Sequence, residues 1–400
     1  MNKKDVADIR KQFKVDNDLM KIREIFNFYI MKESSEVYHY ESQPFDMLDE
    51  DQQELFMGNF KKVLSGRLDE KLFELKFQRE VENSSQLILH QGLLGSDEDF
   101  REKMQQIVEK MLKDKEYEMD LVVTFIKAEY FKPMRQKSEE SEESARDTVY
   151  SHNFILCTIN KTQDPKKELQ FDYVEREFKY NVVVNPIINL NQPVGGFLFP
   201  CFSDNAADVN HVLYAAPRAY EPDDTFILEV LNAEETMTAK DDKAVFEEIV
   251  RDVTEDKLNT STLASVYEEI NRFIEDHDDE EPPKMDHKDV ERVLKMSGVE
   301  DVNTEKVTTA FQKIIDDENY ELKASSVLPK YNSKSIKIDT KLAKISVSPQ
   351  DLKYVKQVHL AGKRYLMIEL EEDTIIEGFK MIPEVFAHKE ASSPTDKGEE

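Results

Sequence analysis

Hydrophobic and polar positions along this chain follow two periods, and the switches between them mark its elements. Ile22–Met31 and Val37–Tyr40 are aromatic and β-branched, and the polar Lys32–Glu36 between them predicts a hairpin. From Asp46 to Gly66 the apolar positions Leu48, Leu55, Phe56, Phe60, Val63 and Leu64 follow a helical stripe, with Asp46 as the cap and Gly66 as the stop. Phe73, Leu75 and Phe77 alternate as in a strand. Ser96, followed three residues later by Asp99, forms a capping box ahead of a helix carrying Phe100, Met104, Ile107, Val108 and Met111. The unbroken apolar runs Leu121–Ile126 and Phe154–Ile159 predict core strands, and strands continue through Tyr180–Val184, Phe197–Phe202 and His211–Ala215. The Ser- and Glu-rich Lys137–Asp147 reads as a solvated loop.

Beyond Pro222 the period changes. Phe226–Leu231, Ala244–Val253 and Leu263–Ile274 have helical spacing, until the acidic Glu275–Glu281 and the Pro282–Pro283 pair break it. Two short helices follow, Lys288–Met296 and Glu305–Ile315, and then the strands Ser335–Ile338, Ala343–Val347, Tyr354–Leu360 and Arg364–Leu370. Ala361-Gly362-Lys363 supplies the turn of the last hairpin. The expected architecture is α+β: a β-rich centre flanked by helices, with a smaller C-terminal helix-plus-β module. Along the chain this gives a mixed α/β region at 1–220, a helical region at 221–275, an acidic linker at 276–284, the small α+β module at 285–387 and a disordered tail at 388–400.

Composition narrows the partners. Asp and Glu number 83 against 54 Lys and Arg, a net charge of −29, and no basic run interrupts it. A field of that sign repels phosphate backbones and argues against direct binding of duplex nucleic acid. Cys157 and Cys201 each sit in an apolar run and read as free, buried thiols of a reducing compartment. The N-terminus lacks the apolar stretch of a signal peptide, and no segment approaches the roughly 20 apolar residues needed to cross a bilayer. A cytoplasmic protein with no membrane contact is expected.

Candidate chemistry gathers in 185–220. This stretch holds the chain's one Gly-Gly pair, Gly195 and Gly196, and the prolines Pro186, Pro193, Pro200 and Pro217. Such punctuation marks a sharp bend or a close approach of the backbone. Gly195, Gly196, Phe197, Phe199, Pro200 and Phe202 are therefore the binding candidates: either core packing or a strand edge left open for a partner peptide. Asp204, Asp208 and His211 follow at i, i+4 and i+7, which on a helical turn would place two carboxylates and an imidazole on one face. Those groups suit a divalent metal that activates water. The alternative is a strand terminus, a turn residue and the opening of the next strand.

No glycine-rich phosphate loop, zinc-protease helix, paired Cys-x-x-Cys or nucleophile elbow occurs. The reading that follows is a non-catalytic binding or regulatory protein acting through contacts with a protein partner. A metal-dependent hydrolase on Asp204, Asp208 and His211 is the competing reading. No cofactor is identified, and a divalent metal enters only under that second reading.

The opening Met1-Asn2-Lys3-Lys4-Asp5-Val6-Ala7-Asp8-Ile9-Arg10-Lys11-Gln12-Phe13, the phrase Gly196-Phe197-Leu198-Phe199-Pro200 and the closing hairpin resemble an uncharacterised bacterial family, domain of unknown function 4317. The resemblance spans nearly the whole chain up to the polar tail. It implies an intracellular protein of Gram-positive bacteria and carries over no catalytic residue or cofactor.

Overall fold

The structure is a computed structural model and describes residues 1–32, 36–113, 115–133, 149–163, 167–182, 185–203, 206–234, 237–255, 257–277, 283–315, 317, 320–329, 335–360, 362–370, 374–376 and 379–380. The fold is α+β, as expected. It divides into two compact units, one made of Met1–Glu248, Ile274–Asp286 and Asn319–Val327, the other of Ile249–Phe273, His287–Glu318 and Leu328–Glu400. The regions read from sequence are single stretches of chain, whereas each unit is assembled from three. Much of the acidic stretch (278–282), the loop at 137–147 and the tail at 388–400 lie outside the described residues.

The first unit begins with helix α1 (Lys3–Gln12), the hairpin of β1 (Met20–Ile30) and β2 (Val37–Pro44), helix α2 (Glu50–Val63) and strand β3 (Leu72–Lys76). Helices α3 (Ser85–Leu94) and α4 (Asp97–Leu112) follow, then strands β4 (Leu121–Pro133) and β5 (Val149–Gln163). Next come β6 (Lys167–Asp172), β7 (Glu177–Val182), β8 (Ile187–Phe199), β9 (Cys201–Ser203), β10 (Ala206–Asp208) and β11 (His211–Ala215). Seven of these strands form one sheet in the order β2-β1-β4-β5-β8-β11-β3, antiparallel at every step.

Local signals explain the helix starts. Ser96 and Asp99 form the expected reciprocal cap of α4, Ser96 N donating to Asp99 Oδ2 at 2.8 Å. The cap of α2 is Asp49 and not Asp46, because Asp49 accepts from Gln52 N at 2.8 Å while the Gln52 side chain reaches back to Asp49 N. Asp46 instead sits in a 3₁₀ turn, Phe45–Met47.

The sheet is buried on both faces. Phe26, Phe28, Phe125, Ile155, Phe197 and Phe199 pack with α3, α4 and the π-helical turn Phe226–Leu231 on one side. Ile25, Ile126, Phe154, Leu156 and Leu198 pack with α1 and α2 on the other. Strands without a solvated face read as continuous apolar runs, which is why Leu121–Ile126 and Phe154–Ile159 carry no polar alternation. The β3 edge is covered by the segment 232–234, Glu234 N donating to Lys76 O at 2.8 Å and Gln78 N to Asn232 O at 2.8 Å. At the opposite edge, β2 exposes Tyr38 and Tyr40.

Two distant pieces of chain return to this unit. Strand β12 (Lys284–Met285) pairs with β13 (Leu322–Lys323), Tyr320 donates to Asp242 Oδ1 at 2.7 Å, and Lys323 forms an ion pair with Asp69. Asp242 is fully buried; burial raises its carboxyl, opposed by the Tyr320 hydrogen bond and the Lys323 charge.

Helix α5 (Ala239–Thr254) runs from the first unit into the second. The second unit continues with α6 (Thr260–Glu275), α7 (His287–Met296), α8 (Thr304–Ile315), the hairpin of β14 (Ile336–Asp339) and β15 (Lys344–Val347), and the hairpin of β16 (Val355–Leu360) and β17 (Lys363–Ile368). Val266, Ile270, Val290, Leu294, Val307 and Phe311 bury the inner faces of its helices, and Thr260 ties α6 to β16 by donating to Val355 O at 2.6 Å.

Burial holds several tyrosines in the neutral form: Tyr29 (helped by its hydrogen bond to Asp120), Tyr117 and Tyr130 are each pushed up to about 12, and Tyr214 and Tyr320 also rise. An unfolded tyrosine ionises near 10. Above that pH the unfolded chain loses protons that the folded chain keeps, so the stability these groups contribute is complete below pH 10 and is lost as pH rises toward 12. An alkaline titration is expected to show tyrosinate absorbance in two steps, the second coinciding with loss of the circular dichroism signal. A single step near pH 10 with the fold intact would contradict this burial.

Candidate functional site

Strand β8 runs through the interior of the sheet. Phe197 pairs with Cys157 on β5 and Tyr214 on β11, and Leu198 with Leu156 and Leu213. Both backbone sides of Phe197 and Leu198 are therefore occupied by neighbouring strands. Phe197, Phe199 and Phe202 are buried, Phe197 and Phe199 in the cluster under α4 and Phe202 in the cluster under α2, with Pro200 marking the change of side between β8 and β9. The glycine pair answers a packing need. A Cβ on Gly196 would lie 2.1 Å from Cys157 O and 2.9 Å from Val63 Cγ2 of α2, and one on Gly195 3.3 Å from Ala215 O. Beside them, buried Asn59 of α2 donates to Asn160 Oδ1 at 2.7 Å and to Leu190 O at 2.7 Å, so α2 is fastened to β5 and β8.

Of the metal candidates, Asp204 lies outside the described residues. Asp208 and His211 do meet, with His211 Nδ1 at 2.5 Å from Asp208 Oδ2, but on a turn between strands and not on a helix. Asp208 ends β10 and His211 opens β11; Asp208 Oδ1 also accepts from Asn210 N at 2.9 Å, the hydrogen bond of an Asx turn. Burial raises the Asp208 carboxyl, but the hydrogen bonds from Asn210 and His211 outweigh it and hold it below the usual range. Among the described residues no three His, Cys, Asp or Glu side chains are placed to hold a metal ion.

Sequence reading did not single out Ser85 and Lys110. Lys110 Nζ donates to Ser85 Oγ at 2.8 Å, Asn83 O at 2.6 Å and Asn232 Oδ1 at 2.7 Å, and burial, with Lys113 nearby, lowers its ammonium to about 8. A serine beside a lysine of lowered basicity has the parts of a nucleophile and base. Here the Ser85 hydroxyl donates to Val230 O at 2.6 Å and the residue is fully buried. The pair staples α3, α4 and the π-helical turn together and presents no nucleophile to solvent.

Among the described residues, each unit carries a concave surface. A groove of about 620 Å³ lies where α4 faces the β1–β2 hairpin, lined by Phe28, Val37, Tyr40, Gln105, Glu109 and Leu112. A cavity of about 400 Å³ in the second unit is lined by Glu255, Lys257, Asp301 and Lys306. Glu255 takes both lysines, at 2.9 and 3.5 Å, and the Asn259 and Asn303 side chains cap the adjoining helix starts.

Exposed apolar side chains gather on the β6–β7 hairpin, of which sequence reading found only the second strand. Its register pairs Leu169 with Tyr180 and Phe171 with Phe178, so these four share one face, while Asp172, Glu177 and Lys179 fall on the other. Phe171 contacts Phe178 and Tyr173 edge-on, with ring centroids at 5.1 and 5.2 Å. Asp172 closes the turn by accepting from Val174 N and Glu175 N, and Lys179 Nζ lies 2.7 Å from both Asp172 and Glu175. The hairpin forms a two-stranded sheet of its own and leaves its aromatic face exposed. The period-2 alternation on both sides of Tyr173–Arg176 was the signal that could have found it.

An antiparallel sheet covered on both faces, with a separate amphipathic hairpin, defines an α+β protein whose aromatic-rich central strand is core. The model of the family described as a domain of unknown function, DUF4317, matches residues 1–379, and the chain belongs to that family. No curated protein matches it. No helix among the described residues is long and apolar enough to cross a membrane.

Replacing Gly196 by Ala should lower stability by about 3 kcal/mol, since the added methyl meets a backbone carbonyl that cannot move without breaking the sheet. Thermal unfolding of the variant measures this; an unchanged midpoint would show that the close approach is not a constraint.

Proposed function

We propose that this protein is a cytoplasmic binding or regulatory protein without catalytic activity, acting through contact with a protein partner. The observation that carries the reading is the aromatic face of the β6–β7 hairpin. Soluble proteins seldom leave a contiguous apolar face of this kind in water unless something docks on it. A two-stranded hairpin is also marginal alone and gains stability when its apolar face is covered. Substituting Phe171→Ser and Phe178→Ser together changes only exposed side chains, so the fold should survive. The pair of changes is expected to abolish capture of protein from native cytosol by the immobilised chain. Capture that persists unchanged would remove the hairpin from the reading, and robust turnover of a small substrate would remove the reading itself.

The hydrolase reading keeps one supporting observation, the hydrogen bond between Asp208 and His211. A carboxylate that holds one imidazole nitrogen orients the other toward a ligand. If Asp204, Asp208 and His211 bind a divalent ion, the purified protein should carry near-stoichiometric metal that Asp208→Asn with His211→Ala removes. Metal content that does not respond to those substitutions excludes it.

A further inference from the structure

We infer that the occupant of the β6–β7 face is a second copy of this chain, docked hairpin to hairpin about a two-fold axis; this rests on the protein-contact reading above and names its partner. The face is open: Leu169 is 68 % exposed, Phe171 41 %, Phe178 72 % and Tyr180 62 %, and Tyr173, whose ring packs on Phe171, 86 %. At about 150–250 Å² per aromatic side chain, these fractions amount to roughly 700 Å² on one copy, and covering most of it on two copies removes about 1,000 Å², the lower bound for a specific interface.

Charge selects the geometry. With a net charge of −29, two copies repel wherever their acidic surfaces approach. By register the hairpin face carries one formal charge, Lys167 opposite Val182 at its open end, and Lys179 on the opposite face is already engaged by Asp172 and Glu175. Face-to-face contact of two such sheets packs them about 10 Å apart, and an antiparallel two-fold arrangement keeps the two Lys167 positions at opposite ends of the layer. An isologous contact needs a patch that complements itself, and the grid formed by Leu169 with Tyr180 and Phe171 with Phe178 has only apolar and aromatic surface to match.

Sedimentation of the full chain at about 1 to 100 μM should show a reversible monomer–dimer equilibrium, as fits an interface at the small end of the range. Added salt should strengthen it by screening the acidic surfaces. Phe178→Asp should weaken association at least about tenfold, since it places a carboxylate at the centre of the contact. A second variant makes the test independent of any change in folding. Cys157 and Cys201 are fully buried, so Leu169→Cys introduces the accessible thiol. A short thiol-specific crosslinker should then yield covalent dimer, and Met47→Cys, at an exposed position on a different element, should not.

A wild-type chain that stays monomeric throughout overturns the inference. If the hairpin variants still abolish capture of another protein, the contact reading survives with a different partner; if capture is unaffected, both fall. A dimer that Phe178→Asp leaves intact, or that Leu169→Cys fails to crosslink, also overturns it, because the contact then lies elsewhere. So does a monomer that binds neutral phosphatidylcholine vesicles through the hairpin.

Discussion

The central strands of this protein have no polar face, and the rest of the first unit follows from that constraint. β4, β5 and β8 bury alternate side chains in two separate clusters, so the sheet is stable only when helices cover both sides. Antiparallel sheets more often leave one side in water. Here α1 and α2 supply one cover, and α3, α4 and the π-helical turn the other. The covers are fastened by polar contacts that the apolar layers cannot provide: Asn59 to Asn160 and Leu190 on one side, Lys110 to Ser85 and Asn232 on the other. Each places a hydrogen-bonding group where desolvation would otherwise be uncompensated.

The same constraint accounts for the glycine pair. Val63 brings α2 against β8, and the crossing leaves no space for a side chain at Gly196. Sequence reading located this point correctly as a close approach of the backbone but could not say what approaches. A glycine forced by a ligand and one forced by a neighbouring strand look alike until the partner is known. The cysteines show the complementary case. Cys157 and Cys201 were legible as buried thiols, while their separation into clusters on opposite sides of the sheet depends on the register and the passage through Pro200.

Local signals were legible where one element decides the outcome. The Ser96–Asp99 cap, the unbroken strand runs and the β16–β17 hairpin needed no tertiary information. The start of α2 slipped by three residues because Asp46 and Asp49 both precede the stripe, and only Asp49 has a glutamine placed to reciprocate. Spacing alone did not show the turn that joins Asp208 to His211. An i, i+4, i+7 pattern converges only on a helix, and the turn chemistry of Asp208–Asn210 puts strands on both sides instead. The assembly of each unit from three pieces could not be read at all, since it depends on contacts such as Tyr320 with Asp242 that join residues far apart in the chain.

Two aromatic strands show how much a pattern can decide. Phe197 and Phe199 lie in a run, Gly196–Phe202, with no charged residue on either parity, and such a strand has to be dry on both sides. Leu169 and Phe171, Phe178 and Tyr180 lie in strands whose other parity includes Asp172, Glu177 and Lys179. That second pattern demands one wet face and one dry face. In the intact fold the wet face is satisfied by the Asp172–Lys179 ion pair, while among the described residues the dry face stays exposed. Aromatic residues beside a glycine pair pointed to β8. Alternation against charge separates a core strand from a surface that recognises, and by that criterion the informative segment of this chain is 167–182.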